Sequence, residues 1–171
     1  MIFVFRNKET MNFKLSKGVF IGLMLVLFSN LAQAQITNDL TTEEALKALL
    51  AAKKKAEADG VLVNIAVVDA GANLKAFVRM DESYLGSIDV AIKKAKTARY
   101  FDTDTGKFGE LTQPGGIIYN IELTNNGLVS FPGGLPIKNK DSKIIGAIGV
   151  SGGTIDEDRA IATVGAESIL E

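Results

Sequence analysis

The 171-residue chain contains no histidine, no cysteine and no tryptophan. Each absence removes a class of chemistry. Without cysteine there is no disulfide, no thiolate nucleophile and no thiolate zinc site. Without histidine no Ser-His-Asp triad can form, and no His or Cys of this chain can hold haem iron. Proline is scarce as well: all three prolines lie between Gly106 and Gly153, together with 11 of the 17 glycines. The remainder is ordinary globular material, 47% hydrophobic and 23% charged, and the length suits one domain.

The first 34 residues read as something other than fold. Met11 to Ala34 have the pattern of a secretory signal: Lys14 and Lys17, an apolar run from Val19 to Phe28, and Ala32-Gln33-Ala34 as a small-x-small cleavage site. The apolar run falls well short of the ~20 residues that span a bilayer, and Gln35 rules out a lipidated cysteine after the cut. The expectation is a leader and signal over 1–34, with Met11 the true start, and a single domain over 35–171. The product is then periplasmic or secreted, without a stable membrane anchor. Leaving out residues 1–34 removes four basic and one acidic residue from 19 and 20, so 15 and 19 remain and the net charge is −4. That balance argues against nucleic acid as a partner.

The rest reads as helix, two strands, helix, loop, three short strands, helix. Thr41 and Glu44 form a capping box, and Leu46, Leu49, Leu50, Lys53 and Ala56 follow at helical spacing, with Lys53 snorkelling. Gly60 stops the helix. Val61 to Val68 and Leu74 to Met80 flank turn residues and read as a hairpin. Leu85 to Phe101 is a helix whose inner face is Ile88, Ala91, Ile92, Ala95 and Ala98. Strands are expected over Gly127 to Phe131, Leu135 to Asn139 and Lys143 to Ser151, with Lys140-Asp141-Ser142 as a tight turn. Asp156 to Leu170 closes the chain as a helix with an acidic first turn. Such an order makes an α+β fold with a mainly antiparallel sheet covered by helices.

Several segments carry chemical possibilities. Gly149-Val150-Ser151-Gly152-Gly153 fits the G-x-S-x-G pattern between a strand and a helix. With no imidazole in the chain, only a Ser-Lys pair with Lys94 or Lys143 could activate Ser151; a tight turn, or an anion cradle of backbone N–H groups, is the better reading. Phe131-Pro132-Gly133-Gly134-Leu135-Pro136-Ile137 reads equally well as a ligand-binding rim or as an edge-strand turn. Arg79 could clamp a carboxylate or pair locally with Asp81 or Glu82. Of Lys93, Lys94 and Lys96, at least one should face solvent. Asp102, Asp104 and Glu110 lack the ligand pattern of a calcium loop.

Five segments together resemble the GlcG/HbpS family of haem-binding proteins, which includes the C-terminal domain of PduO. They are Val67-Val68-Asp69-x-Gly71, Arg79-Met80-Asp81, Lys94-Ala95-Lys96-Thr97-Ala98, Pro132 to Ile137, and Gly146 to Gly152. The resemblance spans nearly all of residues 40–170. It implies a profilin-like fold, an antiparallel five-stranded sheet flanked by helices on both faces. It further implies homo-oligomers and haem as cofactor.

Some members of that family place a histidine on the iron, which this chain cannot do. Tyr84, Tyr100 and Tyr119 are its only tyrosines. Tyr119, in the glycine-rich half, stands first as axial ligand and Met80 second. The ligand-binding set expected from the motifs is Arg79, Asp81, Lys94, Thr97, Phe101, Tyr119, Phe131, Gly133, Gly134, Pro136, Ser151 and Gly152. The expected function is an exported haem- or tetrapyrrole-binding protein without catalysis. One alternative is a module for an organic acid or other anion held by Arg79, Lys94 and the Gly149–Gly153 turn. A lyase or isomerase working through carboxylates, lysines and tyrosines is the last.

Overall fold

The computed structural model describes residues 39–170; the leader, signal and cleavage site expected from the sequence lie outside the described residues. The elements are α1 (Thr42–Asp59), β1 (Asn64–Asp69), β2 (Leu74–Arg79), α2 (Ser87–Tyr100), α3 (Thr105–Thr112), β3 (Gly134–Lys138), β4 (Ile144–Ser151) and α4 (Ile155–Glu167). Single 3-10 turns lie at Ile121–Leu123 and Ser168–Leu170.

Both long outer helices start on capping boxes. Thr41 Oγ1 accepts from Glu44 N at 3.1 Å while Glu44 accepts from Thr41 N at 2.8 Å; Thr154 and Glu157 repeat the arrangement at α4. The packing face of α1 is Ala45, Ala48, Leu49, Ala52 and Ala56, whereas Leu46 and Leu50 point to solvent. The expected leucine stripe is thereby corrected. Gly165 of α4 approaches so closely that a Cβ there would sit 2.9 Å from Ala48 O and 3.1 Å from Ala52 Cβ. Only small side chains fit that crossing, so the alanines face inward.

The four strands form one antiparallel sheet in the order β2-β1-β4-β3. Alternation along the central strands splits the core in two. Ile65, Val67, Ile148 and Val150 face the layer of α1 and α4. Ala66, Val68 and Ala147 face α2 with Ala91, Ala95 and Ala98. Burying a side chain such as Ile65 or Ile148 completely stabilises the fold by about 1.5–3 kcal/mol each. On the α2 side the approach is closer still: a Cβ on Gly149 would meet Ala91 O at 2.1 Å.

Among the described residues the sheet has four strands, not five. Residues 127–131 do not pair as a strand. Asn125, Asn126 and Gly127 have left-handed backbone at φ 53°, 60° and 94°. After this turn the backbone donors are met outside any ladder: Leu128 N by Glu122 O at 3.0 Å, and Val129 N by Thr97 Oγ1 at 3.1 Å. Within the expected loop, Asp104 caps the short helix α3 through Gly106 N at 2.7 Å. Both hairpins turn on an Asx side chain, Asp69 accepting from Gly71 N and Asn73 N, and Asn139 accepting from Asp141 N and Lys143 N.

Candidate functional site

Asn64 is the reference point. It opens central strand β1 and lies opposite Arg79 of β2 on one side and Ser151 of β4 on the other. Two of the sequence motifs therefore end at the same edge of the sheet. Asn64 is fully buried, and its Nδ2 donates to Tyr84 O at 3.1 Å. Ser83 Oγ donates to Met80 O at 2.7 Å and lies 3.4 Å from Asn64 Oδ1. The turn after β2 is thus fastened from beneath by hydrogen-bonded polar groups, as burial requires.

Two concavities open at this edge and share Leu62 in their walls. The larger, about 540 Å³, is lined by Val61, Leu62, Glu82, Ser83, Tyr84 and Glu157 together with glycines 60, 152 and 153 and Thr154. The smaller, about 280 Å³, is lined by Lys53, Glu57, Leu62, Arg79, Met80 and Asp81. Both volumes are of the order usual for small-molecule and cofactor sites, about 300–1,000 Å³. Arg79 pairs with neither Asp81 nor Glu82 among the described residues; its Nη2 donates to Ser83 O at 3.3 Å. Lys53 pairs with Glu57, and Glu157 is engaged in its capping box.

On the other side of β4 lies a buried ion pair. Lys94 is completely enclosed; its Nζ donates to Asp158 Oδ2 at 2.7 Å and Val150 O at 2.9 Å, and sits 4.7 Å from the centre of the Phe131 ring. Asp158 Oδ1 accepts from Gly153 N at 3.0 Å. Burial pushes the Lys94 ammonium below its ordinary pKa and the Asp158 carboxyl above its own, and in each case the contact between them opposes the shift. Lys94 and the Gly153 N–H, two donors of the anion cradle read from the sequence, thus converge on a carboxylate of the protein itself. A Cβ on Gly133 would lie 2.7 Å from Lys94 Nζ, and one on Gly134 2.4 Å from Lys94 O. The two glycines of the proline-flanked rim are required by this close approach.

The expected site residues fall into separate places. Arg79, Met80, Asp81 and Gly152 line the paired concavities, and Ser151 is buried beside them on β4. Lys94, Gly133 and Gly134 form the buried knot with Asp158, the half-exposed Phe131 ring lies over Lys94, and Thr105 Oγ1 accepts from Gly134 N at 2.9 Å. Thr97 holds Val129 N. Phe101 stacks on Phe108 with ring centres 4.4 Å apart. Pro136 lies on β3 opposite Ala147. Tyr119 is exposed between α3 and the 3-10 turn and lines neither concavity. Tyr84, Asp158 and Asn64 were not among the site residues expected from the sequence, where Tyr84 stood only as one of three tyrosines. Asp158 shows there only as part of an acidic helix start, and nothing local marks its pairing with Lys94.

The paired concavities offer a phenol, a guanidinium and an apolar floor of Leu62 and Met80. Among the described residues no group of three or more His, Cys, Asp and Glu side chains could hold a metal ion, and no described helix is long and apolar enough to cross a membrane.

Known proteins share this architecture. The chain is 38% identical, over 77% of its own length and 93% of the relative's, to an uncharacterized 15.0 kDa protein of the dhaT-dhaS intergenic region of Citrobacter freundii. It is 35% identical, over 66% of its length, to the corrinoid adenosyltransferase PduO of Salmonella typhimurium, of which it spans only 33%. The crystal structure of a PduOC:haem complex superposes with a TM-score of 0.71 at 31% identity, covering 76% of this chain and 94% of that one. The family model described as haem degrading protein HbpS-like matches residues 40–167, and the chain belongs to that HbpS-like family.

Proposed function

We propose that this protein binds haem or a related tetrapyrrole, in the two concavities that meet at Leu62, as a binder rather than a catalyst and after export from the cell. The observation that carries the reading is the likeness, over 76% of the chain, to a domain solved as a haem complex. The concavities suit the ligand in kind. Leu62 and Met80 give an apolar floor, Tyr84 an oxygen donor, and Arg79 a cation with no ion-pair partner among the described residues. Four carboxylates also line them: Glu57 is paired with Lys53 and Glu157 caps α4, while Asp81 and Glu82 stand without an ion-pair partner among the described residues. Bound haem would supply an electrophilic iron and two anionic propionates; the protein's part is to hold the ring, shield it and position an oxygen donor.

The test is a titration of the purified chain with ferric haem. A saturable Soret shift at about one haem per chain supports binding, and no saturable shift removes it. Adding a reductant and oxygen separates binding from turnover. An intact Soret band keeps the non-catalytic reading, whereas bleaching with iron release replaces it by haem degradation, the activity in the family's description. N-terminal sequencing of exported protein tests the signal, with Gln35 as the expected first residue.

A further inference from the structure

We propose, resting on haem binding as read above, that Tyr84 is the residue that takes the haem iron and that Arg79 beside it meets a propionate. With no histidine or cysteine in the chain, the iron is left to oxygen, a thioether or a lysine amine, and Lys53, the lysine on the concavity walls, is paired with Glu57. Tyrosinate is an established axial ligand of ferric haem. Three tyrosines compete, and the fold separates them. Tyr100 borders a hollow of only about 130 Å³ with Lys93 and Lys96, too small for a macrocycle. Tyr119 borders none of the hollows at the Asn64 edge. Tyr84 stands on the wall of the larger of the two concavities with 73% of its surface exposed.

Of the other donors there, three are already committed, and the carboxylates of Asp81 and Glu82, which have no partner among the described residues, are not among the usual axial ligands of haem iron. Ser83 is 3% exposed and its hydroxyl donates to Met80 O. Met80 is 9% exposed and packs in the core beneath the sheet. Glu157 is held by the α4 cap.

An exposed aromatic on a mobile loop would mean little, but this turn is fixed. Asn64, fully buried on β1, donates to Tyr84 O, and Ser83 N bonds back to Met80 O at 3.2 Å. Burying an amide side chain costs free energy unless its hydrogen bonds are met. Here they are met by the turn that presents Tyr84, which makes Asn64 its positioning residue. Arg79 reaches the same turn through Ser83 O, so the cation on the smaller concavity and the phenol on the larger are tied to one turn.

The experiment titrates the full chain with ferric haem and reads the phenolate-to-iron charge-transfer band and the iron–phenolate resonance Raman modes. Wild type shows both. Tyr84→Phe loses both and binds at least tenfold more weakly, with unchanged circular dichroism; Tyr100→Phe and Tyr119→Phe keep both. Arg79→Gln weakens binding of haem but not of its dimethyl ester, which carries no propionate charge. Retention of the phenolate signals in Tyr84→Phe, or their loss in Tyr119→Phe, overturns the assignment while leaving haem binding intact. A wild-type chain without any Soret shift overturns both.

Discussion

Lys94 shows what a single residue does to this fold. An ammonium has three protons, and here two go to Asp158 and Val150 O while the charge rests against the Phe131 ring. Its neighbours come from β4, α4 and the rim before β3, so one side chain fastens three segments to α2. Losing one partner of such a pair costs more than losing both, because a lone buried charge keeps its desolvation cost. Asp158→Ala is therefore expected to lower stability by about 3–5 kcal/mol. The vacated space keeps two donors, Lys94 Nζ and Gly153 N–H, so formate should restore part of the melting temperature where chloride does not. The double variant Lys94→Met/Asp158→Leu should lose less than Asp158→Ala alone. Denaturant melts of the set check this, and a cost below about 1 kcal/mol for Asp158→Ala would show that the pair holds nothing together. The sequence points to Lys94 as chemically notable but not to its burial, since its partner lies 64 residues away. Tyr84 is less legible still: its importance comes from Asn64, 20 residues earlier, holding its carbonyl.

At the scale of elements, what could be read was local. Both hairpins, the capping box of α1 and the alanine face of α2 are written in residues within a few positions of one another, and the structure has them. The misreadings concern elements whose partners are remote. α3 is hidden by Gly106 and Gly109, poor helix formers. Gly109 is nonetheless required, because a Cβ there would lie 1.9 Å from Ser130 O. The same contact explains why 127–131 is no strand: it lies along α3 and α2 and is tied by side chains. Ser130 Oγ donates to Glu122 Oε1 at 2.5 Å, and Thr112 Oγ1 donates to Ser130 Oγ at 3.0 Å.

These hydroxyls hold the Glu122 carboxyl below the usual range. A depressed folded pKa means that the stabilisation is fully present above the unfolded value, about 4.3. It is lost as the pH falls from there through the folded pKa. Wild type should therefore melt above Glu122→Gln at neutral pH, and the gap should close on acidification below about pH 4.3. Taking the difference between two chains cancels the other carboxylates. A gap that stays constant, or widens, in acid would refute the assignment.

For the molecule as a whole, the sheet separates two tasks. One face carries the larger core under α1 and α4, and the Asn64 edge carries the concavities, whose walls all come from residues between Lys53 and Glu157. The start of the described chain is built into the core: Leu40 is fully buried and its N–H donates to Ile145 O at 3.0 Å, while Asp39 accepts from Ala70 N at 2.8 Å. If the first 34 residues serve export alone, a chain beginning at Gln35 should melt at the same temperature as the full chain. It should also gain the same stabilisation from haem, about 2.7 kcal/mol at a free concentration of 100 Kd. Leu40→Ala in that shortened chain should cost about 2–5 kcal/mol, as for other fully buried leucines. Calorimetry of the three proteins with and without haem decides the matter. A shortened chain that folds but no longer gains stability from haem would mean that residues before Gln35 belong to the binding site, and the concavities at Leu62 would then be incomplete as a haem site.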